Sequence, residues 1–322
     1  MKKLILSTLV LLTLPAAALA WGHDGHVIVG QIATARIHQH AKDAVAQILA
    51  PGESLATVST WADEVREAKR HLGPLANDPR AAAFNKTFPS SGHWHFVDLP
   101  LGTTAYAYPG DFASDDDIVQ AMHRCIDTLR GKAAPSNTLT RRDALALLVH
   151  FAGDIHQPLH VSSGYFTKDD KGNGKLITDP VQAKTAASDR GGNQLFYTQN
   201  EELHARWDVV LVKKLMNHRT DQQTADALEA AIKPADAASW NASGDPRTWP
   251  EQWAIDTLSS ARTAYGGIAS YGPIDIDVFK NEVTRCEITT TPTYDAGMLP
   301  VAQVQIEKAG YRLAALLDAI WP

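Results

Sequence analysis

The chain has 322 residues, 30 Lys and Arg against 36 Asp and Glu, a formal charge of −6 and 44% hydrophobic residues. That balance describes a globular, soluble chain and argues against an extended basic surface, the usual electrostatic footprint of a nucleic-acid binder. A small cationic site built from metal ions stays open, because formal charge omits them.

The first elements read as export. Lys2 and Lys3 supply a charged region, residues 4–14 an apolar run, and Ala18-Leu19-Ala20 a small-x-small cleavage site. Residues 1–20 are therefore predicted to be a removed signal peptide and 21–322 a single domain, secreted or periplasmic. The apolar run is short for a bilayer span, so no stable membrane association is expected.

Helical periodicity dominates the rest of the chain. One helix is predicted over 25–49, its apolar face carrying Val27, Ile28, Ile32, Ala35, Ile37, Val45 and Ile48. A short helix starts near 59–63, residues 76–92 read as a loop, and 115–129 as a helix with an acidic first turn. Thr140 is placed to cap a strongly apolar helix through Phe151. Residues 162–192, rich in Gly, Lys and Asp, read as a loop followed by a short hairpin near 194–197. Helices over 201–216, 221–232, 250–265 and 301–319 complete an all-α fold, a single mostly helical domain.

The chemistry concentrates in the segment from His150 to His160. On a helix His150 and Asp154 are i and i+4 and share a face. Pro158 should end or kink that helix and let His160 turn back toward the same pocket. His204 and Asp208 repeat the spacing. Imidazole and carboxylate are the donors zinc accepts where cysteine is lacking. Two distant cysteines, Cys125 and Cys286, make no zinc motif, though they could pair in an oxidising compartment if the fold brings them together. His156 points about 200° from Asp154 at helical pitch and is read as supporting or surface. His93 and His95 would share one side of an extended segment, and the residues alone do not choose between them. His38, His40, His71, His123 and His218 have no spaced acidic partner and are read as surface.

Trp21 with His26, Trp61-Ala62-Asp63, His95-Phe96-Val97-Asp98, the His150–His160 segment, Gly191-Gly192-Asn193 and the His204/Asp208 pair together resemble the zinc-dependent single-strand nucleases of the S1/P1 type. The resemblance covers the mature chain nearly end to end and implies a helical fold related to phospholipase C, with a trinuclear zinc cleft. It implies three Zn²⁺: one on Asp63, His95, His150 and Asp154; a second on His160, His204 and Asp208; a third on His26, the bridging Asp154, and the terminal amine and carbonyl of Trp21. Such a cluster, with its three Asp ligands, carries about +3, which suits a phosphodiester. It implies cleavage of single-stranded DNA and RNA to 5′-phosphate products by in-line attack of a hydroxide bridging two of the ions. It also implies action on 3′-mononucleotides, with no obligate protein partner. Arg66 would bind the transferred phosphate, Asp98 would orient it or contact a base, Phe96 would stack a base, and Asn193 would line the cleft. The competing readings are a zinc-dependent phospholipase C, which resembles the same His/Asp spacing, and a noncatalytic periplasmic zinc-binding protein.

Overall fold

A computed structural model describes residues 21–322; the predicted signal peptide lies outside the described residues. The elements run, in chain order, α1 (Gly22–Arg36), α2 (Gln39–Ile48), α3 (Leu55–Val58), α4 (Trp61–Ala68), α5 (Pro79–Thr87), β1 (Leu99–Pro100), α6 (Ile118–Leu129) and α7 (Arg141–Asp154). They continue with β2 (Ser162–Ser163), β3 (Tyr165–Lys168), β4 (Gly174–Ile177), α8 (Pro180–Ala183), β5 (Ala187–Ser188), β6 (Leu195–Phe196) and α9 (Leu203–Ala205). The last are α10 (Val212–Met216), α11 (Asp221–Ala231), α12 (Pro234–Trp240), α13 (Trp249–Gly266), β7 (Ile268–Asp277), β8 (Glu282–Thr290) and α14 (Tyr294–Ile320).

Helix α7 is the axis of the molecule. Every residue from Asp143 to Asp154 is buried, as expected of a helix apolar all round. Its start is set by Thr140, whose side chain accepts from the Asp143 amide. Helices α1, α4, α6 and α14 pack around it, and α1 and α14 pack on each other. The predicted single helix over 25–49 is two: Ile37 takes an extended φ/ψ of −60°/142° and ends α1, and α2 restarts after His38. Periodicity continues across the break because both helices present apolar residues to one core.

Helices dominate, yet the fold is not all-α. A six-stranded sheet runs in the order β4-β3-β5-β8-β6, with β7 antiparallel to β8, and β1 pairs β2 in parallel. Part of the predicted loop 162–192 supplies β2 to β5, strands of two to four residues that are too short to print a period-2 pattern. The predicted hairpin near 194–197 is instead β6, paired in parallel with β8 through Leu195 and Cys286. The predicted loop 76–92 contains α5, capped by Asp78 with Pro79 in its first turn. Cys125 on α6 and Cys286 on β8 are both buried free thiols, so the conditional pairing does not occur: they sit on separate parts of the core. Among the described residues, no helix is long and apolar enough to cross a membrane.

Candidate metal centre

The site forms where α7 ends. His150 and Asp154 sit one turn apart, with His150 Nε2 3.1 Å from Asp154 Oδ2. The helix stops at Asp154. Pro158, predicted to end or kink it, instead opens a single 3₁₀ turn, Pro158–His160, that brings His160 back to the cluster. Gln157 fixes this reversal: its Oε1 accepts from the Leu159 amide, and its Nε2 donates to Asp208 Oδ1 at 2.7 Å. Asp63 comes from the first turn of α4, and His95 follows the 3₁₀ turn Ser91–His93. His204 and Asp208 lie on α9 and a π-helical turn, Arg206–Leu211, with His204 Nε2 3.2 Å from Asp208 Oδ2.

These side chains form three buried donor groups: His26, His150 and Asp154; Asp63, His95 and His150; and His160, His204 and Asp208. Asp154 faces two ways, Oδ2 lying 3.0 Å from His95 Nδ1 and Oδ1 lying 3.2 Å from His26 Nε2. The backbone nitrogen of Trp21, a residue with no exposed surface, lies 3.2 Å from Asp208 Oδ1. The exposed His93 stays outside the cluster, while His95 enters it.

Backbone carbonyls orient three of the imidazoles. His150 Nδ1 donates to Ser59 O at 2.6 Å, His160 Nδ1 to His95 O at 2.7 Å and His204 Nδ1 to Gly191 O at 2.6 Å. Each ring is thereby held in the tautomer that leaves its Nε2 as an electron-pair donor. Two glycines clear space around the cluster. A Cβ on Gly153 would lie 2.6 Å from His26 Nδ1, so the His26 ring packs against bare helix backbone. Gly191 has φ +64°, and a Cβ there would lie 2.3 Å from Leu159 O.

The donor set fits bound cations. His160 Nε2 and His204 Nε2 approach to 3.1 Å, as do His150 Nε2 and His95 Nδ1. Ring nitrogens at that separation need positive charge between them, either a proton held by one of the pair or a bound cation. Asp154 Oδ1 faces His26 Nε2, and Asp208 Oδ2 faces His204 Nε2, each at 3.2 Å without a well-aligned hydrogen bond, and His26 Nδ1 is buried with no partner. Burial, together with Arg66, lowers His95 to about 4, and burial also lowers His26 and His160, which favours the neutral, ligating imidazole. Burial acts the same way on His150, but the Asp154 and Asp63 carboxylates outweigh it and hold His150 at about 9. A proton there offsets carboxylate charge that a metal ion would otherwise neutralise.

The cluster opens into a cleft of about 1020 Å³ lined by Arg66, Phe96, Asp98, His160, Asn193 and His204, among others. Arg66 Nη2 is 2.7 Å from Asp63 Oδ1. Asp98 Oδ1 accepts from Ser163 Oγ at 2.6 Å, and Ser163 Oγ in turn accepts from the Gly191 amide at 2.9 Å. Burial raises the Asp98 carboxyl. Phe96 is half-buried at the cleft, and Asn193 Nδ2 donates to Arg190 O at 2.7 Å.

His156, read as supporting or surface, and His123, read as surface, are both buried. His156 has no exposed surface: its Nδ1 donates to Ala152 O at 2.8 Å, and Arg312 Nη1 lies 3.0 Å from its Nε2. His123 is 3% exposed, facing Glu251 at 3.5 Å. Neither belongs to the donor groups. Their partners lie far away in sequence, where a spacing rule cannot find them. Sequence reasoning also missed Asp189, buried, which accepts from the Gly164 and Gly192 amides and from Tyr265 Oη. It braces the turn whose carbonyl holds His204. Its neighbours Gly191-Gly192 were the available signal.

Comparison with known proteins gives one answer. The S1/P1 nuclease family model matches residues 21–322. Endonuclease 3 of Arabidopsis thaliana is 26% identical, over 98% of this chain and 94% of its own. Nuclease S1 of Aspergillus oryzae is 27% identical (96% of this chain, 97% of its own), and nuclease P1 of Penicillium citrinum 23% (93% and 97%).

Proposed function

The chain belongs to the S1/P1 nuclease family, and on that premise we propose that it is a secreted or periplasmic zinc-dependent phosphodiesterase acting on single-stranded DNA and RNA. The observation that carries the reading is the set of three buried His/Asp donor groups, one of which reaches an open cleft through His160 and His204. We read residues 21–322 as a single domain and take 3′-mononucleotides as additional substrates.

Asp63, His95, His150 and Asp154 would hold one zinc ion; His160, His204 and Asp208 a second; His26, Asp154 and the Trp21 terminus a third. Bound zinc supplies Lewis-acid polarisation of phosphoryl oxygens and acidification of water. The chain's own residues do the rest. Arg66, anchored at Asp63, offers a planar guanidinium to the phosphate in transfer. Asp98, held by Ser163, accepts from a base edge. Phe96 presents a ring face to an unpaired base, which a paired base could not reach without leaving its stack. Asn193 helps to shape the cleft wall.

The test is hydrolysis of single-stranded oligonucleotides by the processed protein, with product ends identified and zinc quantified. Chelation should abolish turnover and zinc restore it, leaving 5′-phosphates. Zinc binding without hydrolysis of any phosphodiester would overturn the enzyme reading; turnover of phosphatidylcholine alone would replace the substrate.

A further inference from the structure

The hairpin of β7 and β8 ends in Asp277-Val278-Phe279-Lys280-Asn281-Glu282. Phe279 is 98% exposed and Val278 76%. A ring left in water adds nothing to the core, so this one has no role in holding the fold. The tip is nevertheless fixed. Asp277 Oδ1 accepts from the amides of Phe279 and Lys280 at 2.9 and 3.2 Å. Asn281 Nδ2 donates to Ala186 O at 2.9 Å, and the Ser188 amide donates to Asn281 O at 3.0 Å. Strand β5 pairs with β8 at Ser188 and Glu282, and three residues beyond Ser188 stands Gly191, whose carbonyl orients His204. A short rigid path therefore joins the tip to the metal centre.

Lys280, Asn281 and Glu282 line the same cleft as Arg66 and Arg190; Phe279 stands one residue outside that lining. We propose that Phe279 is a stacking platform for an unpaired base of a polynucleotide whose scissile linkage lies at the metal centre, and that Lys280 contacts a neighbouring phosphate. This rests on the nuclease reading and adds a contact that only a strand longer than a mononucleotide can make. A base has a π-face whatever its sequence, so the platform favours length without reading sequence. Position favours this occupant over an anionic membrane: Lys280, Asn281 and Glu282 line the same cleft as His160 and His204, whereas docking on such a membrane needs a basic cluster that the tip lacks.

The test compares kcat/KM of the zinc-loaded enzyme on a long single-stranded oligothymidylate and on a 3′-mononucleotide. Phe279→Ala should lower the ratio of the two about fivefold to tenfold, the lower range for loss of one base–aromatic stack, and Phe279→Trp should restore it. Lys280→Gln should reduce the slope of log(kcat/KM) for the long strand against log salt by about 0.7, one phosphate contact. Photocrosslinking of a bromouracil oligonucleotide should place the adduct on the peptide carrying Phe279, a readout independent of turnover. An unchanged ratio in Phe279→Ala overturns the proposal. So does an alanine variant that loses only vesicle co-sedimentation or self-association. Wild-type enzyme inert on both substrates would instead remove the nuclease reading on which the proposal rests.

Discussion

The imidazole rings of His26 and His150 lie stacked, their centroids 3.9 Å apart and their planes 13° from parallel. Asp154 closes the pair, with Oδ1 3.2 Å from His26 Nε2 and Oδ2 3.1 Å from His150 Nε2. Its Oδ2 also lies 3.0 Å from His95 Nδ1 of the neighbouring donor group, so one carboxylate faces both groups, and the stacked pair is positioned by different helices, α1 and α7. Asp154→Asn keeps the shape but removes the charge that both groups share. We expect turnover to fall on the order of 100-fold or more, a first-ligand loss exceeding what outer-shell changes cost. Zinc content should fall with it, while the His160/His204/Asp208 group keeps its ion. Near-normal turnover at full zinc content would refute the shared role.

The Trp21 nitrogen offers a second handle. It lies 3.2 Å from Asp208 Oδ1, while the indole Nε1 donates to Gly153 O at 2.9 Å and anchors the residue in the core. As a chain terminus this nitrogen is an amine of pKa about 7.7–8.0, able to give up a proton to a metal; after an added residue it is an amide and cannot. A chain with one Gly before Trp21 should lose about one equivalent of zinc and about tenfold or more in activity, a loss of ligand-shell scale. Helical content by circular dichroism should stay unchanged. Equal zinc content in the two chains would separate export from activation.

Asp189 gives a pH signature outside the ligand set. Burial pushes its carboxyl up to about 7 despite donors from Gly164, Gly192 and Tyr265. A raised carboxyl binds its proton more tightly when folded than when unfolded. Between about pH 4 and pH 7 the unfolded chain has lost this proton and the folded chain keeps it, so stability falls as pH rises across that window. The slope approaches about 1.4 kcal/mol per pH unit for this one group. Above pH 7 its contribution is constant. Asp189→Asn removes the slope, so wild-type and variant unfolding free energies should differ by a pH-dependent amount between pH 4 and 7. Both proteins are compared zinc-free, so that zinc linkage through His204 does not enter the difference. A difference independent of pH would show that Asp189 is ionised in the folded chain throughout.

The metal centre was legible because its donors come in local pairs. His150 with Asp154 and His204 with Asp208 are each one helical turn apart, and Pro158 marks the reversal that returns His160. What holds those donors was less legible. Ser59 O, His95 O and Gly191 O orient imidazoles from 91, 65 and 13 residues away. A backbone acceptor carries no residue identity, so even where its residue stands in a motif, as His95 and Gly191 do, the motif does not say which imidazole it orients. The sheet escaped for another reason: β2, β3 and β5 are stitched by long-range pairing, and β8 buries Val283, Cys286 and Ile288 at irregular spacing across the bulges opposite it. His156 looked peripheral because helical phase was measured within α7, whereas its partner Arg312 comes from α14.

Arg66 can be separated into two roles by one pair of variants. Its guanidinium lies 2.7 Å from Asp63 Oδ1 and also lines the cleft, so its main role is either to position Asp63 or to bind the phosphate. Its side chain is 24% exposed, which leaves the guanidinium reachable from the cleft. A planar guanidinium makes two parallel bonds to phosphate; an ammonium makes a point contact. If phosphate binding dominates, Arg66→Gln should cost about 100-fold in kcat, the scale for losing a donor aimed at developing negative charge. Arg66→Lys should recover part of that rate, because it restores the charge without the fork. Zinc content should stay full in both, since Asp63 keeps its place at the first turn of α4. If instead Arg66 mainly positions Asp63, zinc content should fall in Arg66→Gln and excess zinc should rescue turnover. The two outcomes exclude each other, and zinc titration alongside kcat decides between them.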